Sequence, residues 1–335
     1  MAPTISSLGE RGLVARLQER VGVPPSFVQI GIGDDAAVLR PARNMDEVIT
    51  TDSLVEGVHF RRDWSPADAI GHKALAVNLS DLASMGARPR ASLLSLALPA
   101  DYPMADFDAL VDAYLALAAV SGAVLVGGNM TRSPGPVVID VTAIGTVGHR
   151  RVLRRVGARA GDELYVTGEL GSAAAALEML QAGRTRTSLL ATAADCLMRY
   201  ERPDPRLRCG GIVGRSRAAS AAIDLSDGLA DAAGRLAEAA GLGVVVDAGQ
   251  LPMLESAKAW ALDSGRDPLA LALDGGEDYE LAFVVQPRRR KRFLGAVHRC
   301  HGLTVSRVGE FVAEPGAWVL RNGERAALTG GFRHF

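Results

Sequence analysis

Clustered acidic residues are the feature of this sequence that could do chemistry. Asp34 and Asp35 follow the glycine-rich turn GIG and precede an apolar run. Removing an uncompensated carboxylate from water costs several kcal/mol, so such acids are solvated, paired or bound to metal. Adjacent carboxylates in a turn suit Mg²⁺, which takes one or two protein carboxylates and completes its shell with water and phosphate oxygens. A solvated Asp-Asp turn is the alternative.

More acids lie at the ends of apolar runs. They are Asp52 in VITTDSLVEGVHF, Asp81 in KALAVNLSDLASMGARP, Asp224 and Asp227 in AAIDLSDGLAD, and Glu277 and Asp278 in LDGGEDYELAFVV. Thr50 and Thr51 directly precede Asp52, and strand ends are where α/β sites usually lie. Taken singly, each acid is explained by a helix cap or a turn. Together they indicate one metal and phosphate site collected from several segments.

The glycine-rich segments do not form a standard nucleotide motif. GIGDDA has the G-x-G-x-x-A form, but Pro41 follows too soon for a long helix, and two acids would repel a pyrophosphate. The sequence GxxxxGK(S/T) is absent, which excludes a P-loop. Gly127, Gly128 and Asn129 end the predicted strand AVLV, where backbone N–H groups could approach a phosphate, although an ordinary loop is the alternative. His59 is either a surface histidine or a site residue seven positions after Asp52.

Composition limits the classes of partner. The 335 residues include 37 Lys and Arg against 38 Asp and Glu, a formal charge of -1 that favours neither nucleic acid nor an anionic membrane. We expect the basic run at 288–292 to be a solvated helix start. Three cysteines without CxxC spacing argue against a disulfide framework or a zinc site and fit a cytoplasmic protein. Neither a signal-peptide pattern nor a membrane span is expected.

Strand and helix patterns alternate along the chain, as is typical of an α/β fold. The strand patterns EVITTDSL, ASLLSLALP, AVLVGG and VVIDVTAIGTV alternate with helix patterns at 8–20, 66–86 and 103–121. A basic segment then leads to ELYVTG, Ala-rich helices from 171, AAIDLSDG, VVVDAG and ELAFVV. This break predicts two domains, 1–149 and 150–335. The Pro- and Arg-rich segment 199–211 is predicted to be a loop of the second domain.

The motifs taken in order resemble those of the thiamine-monophosphate kinases, within the aminoimidazole ribonucleotide synthetase superfamily. The resemblance rests on GIGDDAAVL, TTDSLVEGVHF, KALAVNLSDLASMGARP, GGNMTR, AIDLSDGL and GGEDYEL, and spans nearly the whole chain. It implies a mixed α/β (α+β) two-domain fold. The amino-terminal domain would bind ATP and Mg²⁺ and form a homodimer through its sheet, and the carboxy-terminal domain would complete the active site.

The activity that the resemblance implies is the last step of thiamine diphosphate biosynthesis. The γ-phosphate of ATP would pass directly to thiamine monophosphate, with several Mg²⁺ ions assisting. Matched by position, the metal ligands are Asp35, Thr50, Thr51, Asp52, Asp81, Asn129, Asp224 and Asp227. The ATP contacts are Gly128, Asn129, Arg155 and Ser226, and the thiamine substrate is held by His59, Glu277 and Phe332. No general base is assigned, since a phosphate monoester is already ionised near neutral pH, with a second pKa of about 6.

One position departs from the family pattern. Asn129 stands where the family usually has an aspartate that binds magnesium, and an amide oxygen lacks the negative charge. We therefore expect weaker metal affinity there. The alternative function is that of a nucleotide-binding protein with weak catalytic activity.

Among sister enzymes, selenophosphate synthetase and the hydrogenase-maturation dehydratase use terminal cysteines that this chain lacks. Aminoimidazole ribonucleotide synthetase is harder to exclude, although LVEGVHF and GGEDYELAF resemble the thiamine enzymes more closely.

Overall fold

The structure, a computed structural model, describes residues 3–331, and the chain divides into two compact units. The first consists of the residues up to 82 together with 88–149. The second consists of 83–87 and the residues from 150 onward. The short piece 83–87 belongs to the second unit because Ala83 packs into that unit's hydrophobic core, a contact that no local sequence pattern indicates.

The first unit is built on a four-stranded sheet with helices. The helices are α1 (Gly9–Val21), most of α2 (Ala67–Ser84) and α3 (Met104–Ser121). The strands are β1 (Val28–Ile30), β2 (Val38–Leu39), β3 (Met45–Val55), β4 (Arg88–Leu98), β5 (Val124–Arg132) and β6 (Val138–Gly148). Strands β1 and β2 pair with each other, and the larger sheet has the order β3-β6-β4-β5. Its β4–β5 pair is parallel and its other pairs are antiparallel.

One face of this sheet is buried and the other is partly exposed. Leu94, Leu96 and Leu98 alternate along β4 and are at most 3% exposed, whereas the residues between them are only half-buried. Ile49 on β3 is 63% exposed. Such alternation is the pattern of an antiparallel sheet with one covered face. Helices α2 and α3 approach closely at Gly71, where a Cβ atom would lie 2.0 Å from the Leu110 carbonyl oxygen.

The second unit contains a seven-stranded sheet with helices. The strands are β7 (Glu163–Thr167), β8 (Ala221–Asp224), β9 (Gly243–Asp247), β10 (Leu281–Val285), β11 (Val305–Val312), β12 (Gly316–Arg321) and β13 (Glu324–Ala327). The helices are α4 (Ser172–Gln181), α5 (Arg186–Thr192), α6 (Ala194–Glu201), α7 (Leu207–Ser216), α8 (Leu229–Glu238), α9 (Glu255–Asp263), α10 (Pro268–Asp274) and α11 (Arg290–His298).

The part of the second sheet formed by β7, β10 and β8 is covered on both faces, whereas β13 at the opposite edge is exposed. The strand order is β13-β12-β9-β11-β7-β10-β8, and every residue of β7, β8 and β10 is buried. Leu164 and Val166 belong to one hydrophobic cluster, whereas Tyr165 between them belongs to another that includes Phe283 and Phe293. Continuous apolar strands are expected where a sheet is buried on both sides.

Most predicted elements are present, with three corrections. Thr50–Asp52 and Gly127–Asn129 were expected at strand ends, but β3 continues to Val55 and β5 to Arg132, because both strands stay paired in the sheet beyond these residues. The predicted loop at 199–211 is wrong at both ends, because α6 continues to Glu201 and α7 begins at Leu207. The prolines interrupt only 202–206, and the apolar side of α7 packs into the core through Cys209 and Val213. The basic run does start a helix, since α11 begins at Arg290. Among the helices of residues 3–331, none is both long and apolar enough to cross a membrane.

Candidate active site

The first unit brings Thr50 and Asp81 into contact. Thr50 lies on β3 and Asp81 on α2, and the Thr50 hydroxyl donates a hydrogen bond to a carboxylate oxygen of Asp81. Both residues are half-buried. Two predicted ligands from separate segments therefore meet, as expected of a shared site.

The neighbouring residues of β3 divide between the two faces of the sheet. Asp52 is two positions after Thr50, so it lies on the same face of the strand. The Thr51 hydroxyl lies on the opposite face, where it accepts a hydrogen bond from Thr142 at 3.2 Å. Asp140 on β6 lies on that face too and accepts a hydrogen bond of 2.5 Å from Ser53. Asp140 is not among the predicted site residues, although the alternation of apolar and polar residues within VVIDVTAIGTV could have placed it on this face.

Gly128 and Asn129 lie on β5, at the sheet edge opposite β3. The register pairs Asn129 with Ser95, Ser95 with Asp140, and Asp140 with Ser53. Three strand spacings of about 4.8 Å separate Asn129 from β3 by roughly 14 Å. The structure of this unit therefore does not bring Asn129 together with Thr50 and Asp81, and one ion cannot take all three as ligands.

Gly128 is the point of closest approach between the backbones of β4 and β5. Its φ is +155°, and a Cβ atom there would lie 1.8 Å from the carbonyl oxygen of Leu94. Only glycine can occupy such a position. Gly128, the second glycine of GGNMTR, is thus required by the sheet, whatever further role its backbone has toward a nucleotide.

Asp35 lies between β1 and β2, and His59 lies in the connection that follows β3. Asp34 and Asp35 are exposed in the turn between β1 and β2, and the Asp35 amide donates to the Asp34 carboxylate at 2.8 Å. His59 is half-buried, and its Nδ1 accepts a hydrogen bond of 3.1 Å from the Val55 amide. A neutral His59 with this bond carries its proton on Nε2, the nitrogen left to donate.

The second unit brings four predicted site residues to the end of its edge strand. Asp224 ends β8 and is 6% exposed. Ser226 and Asp227 follow before α8 begins, and the Ser226 carbonyl accepts a hydrogen bond of 2.7 Å from the Glu277 amide. The motifs AIDLSDGL and GGEDYEL are separated by about fifty residues in the sequence. In the structure they lie next to each other and are joined by this backbone hydrogen bond.

One arginine lies near this strand end, and another borders β8 earlier along the strand. The Nε atom of Arg235 on α8 lies 2.5 Å from a carboxylate oxygen of Asp231. Its Nη2 atom lies 3.7 Å from a carboxylate oxygen of Asp227. This positive charge offsets part of the negative charge of Asp227. Arg155 is exposed on a segment that borders β8, since the neighbouring Arg154 carbonyl accepts a hydrogen bond of 3.0 Å from Ala222.

The donor atoms present suit Mg²⁺. Within the described residues, no group of three or more His, Cys, Asp or Glu side chains has an arrangement that could hold a metal ion. The predicted ligands that are described offer carboxylate, hydroxyl and amide oxygens, which are the donors that Mg²⁺ prefers. Phe332, predicted to hold the thiamine substrate, lies outside the described residues.

Comparison with known proteins assigns the family. The AIR synthase related protein N-terminal domain matches residues 33–147, and the corresponding C-terminal domain matches residues 159–319. The thiamine-monophosphate kinase of Salmonella typhimurium is 40% identical over 330 residues, which cover 98% of each chain. The chain belongs to the thiamine-monophosphate kinase family. The Escherichia coli thiamine-monophosphate kinase is 38% identical over 332 residues, again with 98% of each chain covered.

Solved structures of thiamine-monophosphate kinases share the fold. The enzyme from Stenotrophomonas maltophilia has a TM-score of 0.84 and 38% identity, with 95% of this chain and 98% of the other covered. The structure of AaThiL complexed with AMPPCP and TMP has a TM-score of 0.77 and 29% identity over all of both chains. E. coli HypE, at 21% identity and a TM-score of 0.80, shows the fold alone. The predicted family and two-domain AIR synthase-like fold are confirmed.

Proposed function

We propose that this protein phosphorylates thiamine monophosphate to thiamine diphosphate, using ATP as the phosphoryl donor and several Mg²⁺ ions. The observation that carries this proposal is the full-length similarity to a structure complexed with AMPPCP and TMP. The curated thiamine-monophosphate kinases, matched over 98% of the chain, support it independently. The reaction is the last step in making thiamine diphosphate.

The chemistry requires two phosphate-bearing anions to approach each other. Catalysis of such a transfer is mainly positioning and electrostatic stabilisation, with the attacking and leaving oxygens in line. Thiamine monophosphate supplies its own ionised nucleophile, because a phosphate monoester has a second pKa of about 6. No side chain needs to remove a proton, so no general base is assigned.

Carboxylate, hydroxyl and amide side chains of the protein would hold the metal ions. The residues in this role are Asp35, Thr50, Thr51, Asp52, Asp81, Asn129, Asp224 and Asp227. Bound Mg²⁺ would neutralise phosphate charge that these carboxylates alone would repel. Because Asn129 and Thr50 lie at opposite edges of one sheet, they would serve different ions.

The substrates are assigned to separate groups of residues. ATP would contact Gly128, Asn129, Arg155 and Ser226, and thiamine monophosphate would contact His59, Glu277 and Phe332. A carboxylate at Glu277 suits the positive charge of the thiazolium ring, and an aromatic ring at Phe332 suits a flat cation. Arg155 supplies a positive charge for a phosphate oxygen.

The enzyme would act as a cytoplasmic homodimer through the sheet of its first unit. The partly exposed face that carries Thr51 and Ser53 is the surface a second copy would cover. Cys196, Cys209 and Cys300 are all free and buried, which fits a reducing compartment. Sedimentation analysis tests the dimer, and a monomer at micromolar concentration would reject it.

The deciding experiment measures product from purified protein, ATP, Mg²⁺ and thiamine monophosphate by chromatography. Thiamine and aminoimidazole precursors serve as parallel substrates. Thiamine diphosphate formed from the monophosphate alone would support the proposal. Nucleotide binding without product would favour the weak nucleotide-binding alternative that Asn129 suggests, and product from an aminoimidazole precursor would favour the sister synthetase.

A further inference from the structure

The turn that carries Glu277 has an unfavourable backbone conformation. Glu277 has φ of +68° and Tyr279 has φ of +48°, both in the left-handed region and neither a glycine. Each such residue costs of order 1 kcal/mol or more, and it persists only where its surroundings hold it. Strain of this kind at a predicted substrate contact requires a structural cause.

Backbone hydrogen bonds hold one side of the turn. The Glu277 amide donates to the Ser226 carbonyl at 2.7 Å, and the Tyr279 amide donates to the Leu225 carbonyl at 2.9 Å. The Leu225 amide donates in turn to the Glu280 carbonyl at 2.8 Å. These bonds anchor one side of the turn to the segment that follows β8, and a side-chain contact to a different segment provides another anchor.

Asp278 supplies that other anchor. Its side chain lies between the two left-handed residues in sequence, and the residue is 5% exposed. Its two carboxylate oxygens lie 3.0 and 2.9 Å from the Gly171 amide nitrogen. Asp278 therefore closes the amino terminus of α4, where the first amides have no partner within the helix.

The surroundings make this carboxylate unusual. Burial raises the pKa of Asp278 well above its usual range, and the amides of Gly171 and Ala173 oppose that rise. A buried acid is retained at such a cost only where its hydrogen bonds are needed. Glu280, two residues later, is also buried and accepts hydrogen bonds from Thr167 at 2.6 Å and Arg206 at 2.7 Å.

We propose that Asp278 is a positioning residue, which holds Glu277 in place for the thiamine substrate by tying its strained turn to the amino terminus of α4. The inference rests on the proposed function, because that function assigns Glu277 to the substrate. Asp278 itself acts through Glu277 and does not contact the substrate.

The test substitutes Asp278→Asn and compares steady-state kinetics for both substrates. An asparagine amide turns an N–H donor toward backbone donors, so at least one hydrogen bond is lost and the turn loosens. The KM for thiamine monophosphate should rise about tenfold while the KM for ATP stays within about twofold. In a Glu277→Gln background, Asp278→Asn should raise the KM for thiamine monophosphate by less than about a further twofold, because both changes act through one side chain.

Two variants separate positioning from general destabilisation. Asp247→Asn removes a similar acid, whose carboxylate accepts the Gly249 amide at 3.0 Å in a turn elsewhere in the unit. Val284→Ala removes a buried group from β10 and lowers the melting temperature. Both should leave the KM for thiamine monophosphate within about twofold of the wild-type value. If Asp278→Asn does not fold, Asp278→Ser, which keeps one acceptor oxygen, replaces it.

Amide hydrogen exchange gives a readout that does not depend on activity. The amides of Glu277 and Tyr279 should exchange at least about tenfold faster in Asp278→Asn, while those of β10 stay protected. Unchanged exchange, an unchanged KM for thiamine monophosphate, or additive effects in the double variant would each overturn the proposal. Wild-type protein that makes no thiamine diphosphate would instead reject the proposed function, and exchange would still decide whether Asp278 holds the turn.

Discussion

Thr50 on β3 donates its hydroxyl hydrogen to the carboxylate of Asp81 on α2, thirty-one residues later in the chain. The bond joins a strand to a helix and orients one oxygen of the carboxylate. Thr50→Val keeps the shape of the side chain but removes the donor. We expect the Mg²⁺ concentration for half-maximal rate to rise several-fold, with roughly 1–3 kcal/mol lost from the free energy of unfolding.

Thr50→Ser is the matched control, because serine keeps the hydroxyl. It should retain a Mg²⁺ requirement near that of the wild type. Magnesium titration of the rate and thermal denaturation check both variants. A Thr50→Val enzyme with an unchanged requirement would show that this bond has no bearing on metal binding.

Asn129→Asp restores the acid that the family usually has at this position. The added charge should lower the Mg²⁺ concentration for half-maximal rate, because a carboxylate binds the ion more strongly than an amide does. Asn322→Asp introduces the same charge at an exposed turn of the second unit and should leave the requirement unchanged. An equal or higher requirement in Asn129→Asp would contradict the prediction.

Gly128→Ala and Gly127→Ala form a matched pair on β5. A Cβ atom at Gly128 would lie 1.8 Å from the Leu94 carbonyl, whereas one at Gly127 would lie 3.1 Å from the end of the Leu93 side chain. Gly128→Ala should therefore disrupt the β4–β5 pairing and lower the free energy of unfolding by more than about 3 kcal/mol. Gly127→Ala should cost far less, because the Leu93 side chain can move. Denaturant unfolding measures the free energy of unfolding of both variants. Equal decreases in the two variants would contradict the prediction.

Glu163 on β7 should make stability depend on pH. Burial opposes its ionisation, but hydrogen bonds from Arg290 and Tyr165, with Arg307 at 3.2 Å, outweigh burial and hold the pKa of Glu163 below its usual range. An acid whose pKa is lowered by folding stabilises the native state above its ordinary pKa of about 4.3, and that contribution is lost as the pH falls through the folded value.

The test compares Glu163→Gln with the wild type across pH. The variant should be less stable by roughly 1–3 kcal/mol at neutral pH, and the difference should shrink below about pH 4. Glu310→Gln is the control, since Glu310 pairs with Arg307 but is 51% exposed, and exposed pairs contribute about 0–1 kcal/mol. A difference for Glu163→Gln that stays constant from pH 7 to pH 3 would contradict the assigned pKa direction.

Periodicity in the sequence was sufficient for most elements but not for their ends. The predicted helix at 103–121 and strand at 137–147 correspond to α3 (Met104–Ser121) and β6 (Val138–Gly148). The segment 199–211 was mispredicted because a stretch rich in proline and arginine is typical of a loop. Packing of Cys209 and Val213 against the core overrides that local preference, and no local pattern reports it.

The sequence by itself determined the family, the two-domain fold and the types of atom available for chemistry, because these depend on residue identity and order along the chain. Only the tertiary structure decided which atoms meet. It joined Thr50 to Asp81, separated both from Asn129 by the width of a sheet, and set Asp278 against the Gly171 amide. Strand register and helix packing fix such distances, and both arise from contacts between residues far apart in the chain.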